Sequence, residues 1–164
     1  MRSMVSLGVG IAAAVVVSGI LTGFHSQVVA QGSPHVGTWV LNLAKSKYTP
    51  GPPPKEQTGV VEAAGQGIKS TATGIDAAGK PTKVSYTANF DGKDYPVTGS
   101  ADFDTVSFKS ANPNTLEFSR KKGGKVVQTG TMVVSADGKT RTITATGTNG
   151  QGQKINNVVV YDRK

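Results

Sequence analysis

The residues able to do chemistry are few and widely spaced in this sequence. The chain of 164 residues contains no cysteine and two histidines, of which only His35 follows the first 30 residues. Nucleophilic catalysis and zinc binding both require several such side chains that converge on one point. A lone histidine beside Pro34 is more typical of a solvated side chain. We therefore expect no catalytic residue, no metal site and no cofactor.

Four aspartates that are close together in the sequence form the second candidate for chemistry. They are Asp91, Asp94, Asp102 and Asp104. Pairs of carboxylates can bind calcium or carry out acid–base catalysis. Their spacing differs from that of a calcium-binding loop, and aspartate is common in turns. We interpret these four residues as turn residues.

The first 30 residues have the composition of a secretory signal peptide. Arg2 supplies the positive charge, residues 5–21 are apolar, and Val28-Val29-Ala30 fits a cleavage site before Gln31. We expect export to the periplasm or the extracellular space. An uncleaved anchor is the alternative, because the apolar run approaches the length of a membrane span. No later stretch could span a bilayer as a helix, so no stable span is expected after cleavage.

The chain is basic. It carries 18 basic and 10 acidic residues, and the loss of Arg2 would lower the net charge from +8 to +7. The tightest basic cluster is Arg120-Lys121-Lys122 with Lys125, at a predicted hairpin tip. Exposed charges of this kind predict at most weak, salt-sensitive binding to anionic polymers. Aromatic residues are not interleaved with them, so nucleic acid is not an expected partner.

The remaining residues, 31–164, predict a single all-β domain. Apolar and polar residues alternate with a period of two, most clearly in 82–90, and Asp91-Gly92 and Asp137-Gly138 are typical of tight hairpins. Proline-rich residues 48–54 predict an extended strap. The predicted strands lie at about 36–43, 56–64, 68–75, 82–90, 95–98, from 105 to the turn at Asn112, 116–120, 126–135, 140–146 and 155–161.

Nine to ten short strands with no helix between them favour an antiparallel up-and-down meander. Such a meander most often closes into a barrel, because closure removes the edges of the sheet. A two-sheet sandwich is the alternative, although sandwiches normally need some long crossover connections.

Gly37-Thr38-Trp39 resembles the opening Gly-x-Trp of lipocalins and related calycin barrels. A longer pattern, made of residues 37–42, Lys45-Ser46-Lys47, the strap and residues 86–99, resembles exported bacterial lipocalin-like proteins of unassigned function. This resemblance implies a small-ligand-binding barrel in which Trp39 packs over one closed end beneath a basic residue. Arg120 and Arg141 each alternate in step with apolar residues of their own strands, so either side chain could face inward and fill that position.

The larger apolar residues that alternate inward define the candidate ligand site. A barrel of this size has room for side chains and at most a small ligand. Ala88, Gly130 and Ala145 could leave space for it, or could let bulky neighbours interlock. We expect a non-enzymatic protein that binds a small apolar or amphipathic molecule. The alternative is a basic envelope module that contacts anionic polymers and has no internal ligand. The candidate ligand-binding residues are Trp39, Tyr86, Phe90, Phe108, Phe118, Met132 and Tyr161.

Overall fold

Alternating apolar and polar residues form ten antiparallel strands in the part of the chain that the computed structural model describes, residues 32–164. The expected signal peptide at 1–30 lies outside these described residues. The strands are β1 (Gly37–Leu41), β2 (Glu56–Ala64), β3 (Gly67–Ile75), β4 (Pro81–Asn89), β5 (Tyr95–Thr98), β6 (Thr105–Asn112), β7 (Thr115–Lys122), β8 (Lys125–Val134), β9 (Thr140–Thr148) and β10 (Lys154–Arg163).

The ten strands close into one barrel in sequence order. Each strand pairs with the strands before and after it, and β1 pairs with β10 to complete the ring. At this closing seam Trp39 lies opposite Arg163, and Leu41 lies opposite Tyr161. The predicted all-β closed barrel is confirmed and is consistent with a lipocalin-like barrel, whereas the sandwich alternative is wrong.

The first strand is shorter than predicted. It ends at Leu41, because the Asn42 side chain accepts a hydrogen bond from the Lys45 main-chain N–H at 3.1 Å and caps a 3₁₀ turn over Leu43–Lys45. Leu43 therefore lies outside the strand and is exposed. No helix among residues 32–164 has the length and hydropathy needed to cross a bilayer.

Two apolar clusters fill much of the barrel. One surrounds Trp39, which is fully buried, and includes Ile68, Val134 and Tyr161. The other surrounds Phe108 and Phe118, which are paired across β6 and β7 with their ring centres 6.4 Å apart. Edge-on aromatic pairs of this kind stabilise a core beyond the area that they bury.

Two of the small inward residues allow tight packing rather than leaving space. A Cβ added to Gly130 would lie 1.8 Å from the Thr144 main-chain oxygen and 2.8 Å from the Phe118 ring. Ala88 is buried inside the Phe108 cluster. Ala145 differs from both, since it lines the cavity described below.

The proline-rich strap is held against one end of the barrel by β10. Lys47 pairs with Val158, and the Thr49 main-chain N–H donates to Asn157 Oδ1 at 2.9 Å. The Thr49 carbonyl accepts from the Asn156 main-chain N–H at 2.8 Å. These bonds place residues 48–54 beside the start of β10.

Candidate ligand-binding cavity

A cavity of about 400 Å³ lies inside the barrel. Inward residues of β2, β3, β4, β7, β8, β9 and β10 line its wall. Its mouth lies between Pro50, Pro52 and Pro54 of the strap on one side and Asp102 and Phe103 on the other. The volume falls within the range of small-molecule binding sites, which is roughly 300–1,000 Å³.

Three of the seven predicted ligand-binding residues line this cavity. They are Tyr86, Met132 and Tyr161. The other four, Trp39, Phe90, Phe108 and Phe118, pack in or against the two apolar clusters and are absent from the lining. The assignment of ligand binding to these seven residues stays a prediction.

Arg120 points into the cavity near the mouth. Its guanidinium carbon lies 4.6 Å from the centre of the Phe103 ring and 4.5 Å from that of Phe118. Its Nη1 donates to Gln128 Oε1 at 2.9 Å, and Gln128 Nε2 in turn donates to the Thr148 carbonyl at 3.1 Å. The second bond fixes the Gln128 amide so that its oxygen faces the arginine.

Arg141 also points inward, beside Trp39. Its guanidinium carbon lies 5.0 Å from the ring centre of Trp39 and 5.0 Å from that of Tyr161. The side chain is only 5% exposed, and its Nε–H has no hydrogen-bond partner among the described residues. Burial lowers the pKa of Arg120 and of Arg141. Both remain cations near neutral pH, because the ordinary pKa of arginine is so high.

Of the two arginines that the sequence predicts could face inward, Arg141 is the one that packs on Trp39. Sequence reasoning missed a second contact. Arg163 lies closer, with its guanidinium carbon 4.2 Å from the Trp39 ring centre. Its Nη1 and Nη2 donate to the carbonyls of Val36 and Pro34 at 2.7 and 2.6 Å. Arg163 therefore covers Trp39 and holds the segment that leads into β1.

Three tyrosines, Tyr48, Tyr86 and Tyr161, line the cavity. The Tyr161 hydroxyl donates to Gln57 Oε1, and Tyr48 belongs to the strap. Burial raises the pKa of the Tyr48 and Tyr161 phenols. Both are therefore neutral hydroxyls near neutral pH, and hydroxyls can donate hydrogen bonds.

The expectation that His35 is solvated is wrong. The His35 side chain is fully buried. The His35 main-chain carbonyl accepts a hydrogen bond from Trp39 Nε1 at 2.9 Å. Neither ring nitrogen has a hydrogen-bond partner among the described residues. Burial, followed by the charges of Arg141 and Arg163, lowers the pKa of His35 to about 4. His35 is thus a neutral core residue at the closed end and does not line the cavity.

The four aspartates hold loops and neighbouring strands in place. Asp91 accepts from the Lys93 main-chain N–H at 3.0 Å and from the Tyr95 hydroxyl at 2.8 Å. Asp94 accepts from Lys121 Nζ at 2.7 Å. The carboxylates of Asp102 and Asp104 accept from the main-chain N–H groups of Gly150 and Gly123. Within residues 32–164, no group of three or more His, Cys, Asp or Glu side chains could hold a metal ion.

The basic cluster at the end of β7 is smaller than predicted. Arg120 points into the barrel, and Lys121 is paired with Asp94. Lys122 and Lys125 remain exposed. The prediction of a four-residue exposed cluster is wrong, because the alternation along β7 gives Arg120 the same inward phase as Phe118.

Comparison with models of known protein families gives no match, and comparison with curated proteins gives none either. The functional argument therefore rests on the geometry of the cavity. Within the part of the chain that the structure describes, its lining combines aliphatic and aromatic groups with two guanidinium groups, phenols and amides, and it contains neither histidine nor cysteine. An arrangement of this kind can orient a small molecule that has both an apolar and a polar part.

Proposed function

We propose that the protein is a non-enzymatic barrel that binds a small amphipathic molecule in its interior cavity. The observation that carries this proposal is the cavity itself, with its volume of about 400 Å³ and a mouth beside the strap. Met132, Ile143 and Val159 supply an apolar wall. Gln57, Gln128 and the two arginines supply polar groups that would fix the orientation of the ligand.

The expected affinity follows from the composition of the wall. Each methylene group removed from water contributes about 0.8 kcal/mol. Part of that gain is lost to the cost of association, which is about 4 kcal/mol or more. A chain of about ten methylene groups would therefore retain about 4 kcal/mol, a dissociation constant of the order of millimolar, and polar contacts would tighten it further.

The proposed location is the periplasm or the extracellular space. Its support is the signal-peptide composition of the first 30 residues and the resemblance to exported bacterial lipocalin-like proteins. A barrel that carries a small apolar cargo between membranes or outside the cell fits both features. The alternative, a basic module for anionic polymers, loses support because Arg120 and Lys121 do not contribute free surface charge.

Filling the cavity tests the proposal. Ala72 of β3 lines the cavity, and Thr73, the next residue, is exposed on the outer face. We expect the neutral fluorescent dye phenylnaphthylamine to bind the unmodified protein saturably. Ala72→Phe should weaken that binding by about tenfold or more, because the new ring occupies ligand volume.

The matched control is Thr73→Phe, which adds a ring of the same size to the opposite face of the same strand. Its dye affinity should equal that of the unmodified protein. Far-UV circular dichroism would verify that both variants fold. Unchanged dye binding by folded Ala72→Phe, or no saturable binding by the unmodified protein, would contradict the proposal.

A further inference from the structure

Neither arginine of the cavity forms an ion pair with the residues that the structure describes. Burying a charge is costly unless an opposite charge or a full set of hydrogen bonds compensates for it. The four ion pairs among residues 32–164 are Lys45–Asp162, Lys69–Glu62, Lys93–Asp91 and Lys121–Asp94. None of them includes Arg120 or Arg141. Both cations therefore face the cavity without a salt bridge from the described residues.

The acidic content of the lining does not balance these charges. Among residues 32–164, Asp102 is the one carboxylate in the lining, and it lies at the mouth, where its Oδ1 accepts from the Gly150 main-chain N–H at 2.7 Å. Two cations therefore face one carboxylate, and the described lining has an excess of positive charge. In a partly dehydrated interior, such an imbalance attracts negative charge more strongly than the same charges would in water.

Aromatic rings hold both guanidinium groups in place without neutralising them. Phe103 and Phe118 contact Arg120, and Trp39 and Tyr161 contact Arg141. Contacts between a cation and an aromatic ring are attractive and leave the net charge unchanged. The rings thus preorganise two cations for a ligand that supplies the negative charge.

We propose that the ligand is an amphipathic anion, such as a medium-chain carboxylate, whose acid group binds Arg141 and is drawn inward by Arg120. This inference rests on the proposed function and specifies the ligand chemistry of the same cavity. Arg141 is the principal partner because its side chain borders the cavity and its guanidinium group forms no hydrogen bond with residues 32–164, whereas Arg120 already donates to Gln128. The apolar chain packs against Met132, Ile143 and Val159.

A matched head-group series tests the proposal on the unmodified protein. Decanoate, decanol and decylamine have the same chain and differ in charge. Calorimetric titration near neutral pH should give decanoate an affinity about tenfold or more above that of decanol, with decylamine the weakest. A charge-assisted hydrogen bond contributes about 1.5–3 kcal/mol, which corresponds to roughly 10- to 100-fold.

The outcomes of this series separate the two proposals. Decanol binding as tightly as decanoate would overturn the anion proposal and leave the proposed function intact. Failure of all three compounds to bind would overturn both. Preferential decanoate binding that disappears at physiological salt would indicate adsorption to surface lysines, because salt screens exposed charges much more than buried ones. This outcome would also overturn the anion proposal.

Two pairs of variants locate the anion. Arg141→Met should reduce decanoate affinity by about tenfold or more and leave decanol affinity nearly unchanged. Its control, Lys139→Met, removes the same charge from an exposed position and should change neither. Arg120→Met with Lys122→Met provides a second pair if Arg141→Met does not fold. Decanoate affinity that is unchanged in both folded arginine variants would overturn the proposal.

Discussion

Replacement of Trp39 by alanine is expected to lower the free energy of unfolding by about 3–5 kcal/mol. The Trp39 ring is fully buried, packs with Ile68 and Val134, and carries the guanidinium groups of Arg141 and Arg163 on its surface. Its Nε1 also donates to the His35 carbonyl. Urea unfolding followed by far-UV circular dichroism measures the loss, because the variant has no tryptophan fluorescence.

Val40→Ala is the matched control for Trp39→Ala. Val40 is the next residue of β1, and its side chain is 38% exposed on the outer face. We expect this substitution to cost about 0.5 kcal/mol, as is usual for surface positions. Equal losses in the two variants would show that Trp39 does not anchor the closed end.

The buried His35 should make the protein less stable in acid. An unfolded histidine gains a proton below about pH 6.5, whereas His35 in the folded barrel has a pKa of about 4. Between these pH values the unfolded state binds more protons, so the free energy of unfolding falls as the pH falls. The total loss due to His35 is about 3 kcal/mol, and it is complete below about pH 4.

His35→Gln should remove this part of the pH dependence, because glutamine does not titrate. The pKa values of Asp91, Asp137 and Asp162 are lowered, mainly by hydrogen bonds, so their contributions are lost only at still lower pH and are common to both proteins. Urea midpoints measured from pH 7 to pH 4 give the comparison. The same slope in both proteins would contradict the assignment of a low pKa to His35.

Most of the fold could be predicted from the sequence because strand alternation and turn residues are local signals. The predicted bounds of β2 and β5 agree with the structure. Gly92 and Gly138 have φ values of +76° and +70°, as the Asp-Gly turns require. Closure followed from the number of strands and the short connections between them.

The surroundings of His35 could not be predicted, because they depend on residues from opposite ends of the chain. The pairing of β1 with β10 places Arg163 opposite Trp39, and Arg163 then reaches the carbonyls of Pro34 and Val36. This contact fixes the segment that contains His35 against the barrel. No local pattern in the sequence signals it.

Alternation also predicts which way a side chain faces but not how deep it lies. Phe118 and Arg120 share one inward phase of β7, yet the first belongs to a packed cluster and the second lines the cavity. Gly130 looks like free space in the sequence, whereas the close approach of Thr144 fills it. The division between core and cavity depends on packing between strands that are distant in sequence.

The binding of a small molecule inside the barrel can be tested most directly at Met132. The chain has three methionines, and Met132, which lines the cavity, is the one within residues 32–164. Methyl NMR of methionine-labelled protein, assigned with Met132→Leu, would follow this group during titration with decanoate. We predict a saturable shift of the Met132 resonance. A Met132 resonance that stays in place at saturating decanoate would contradict the account.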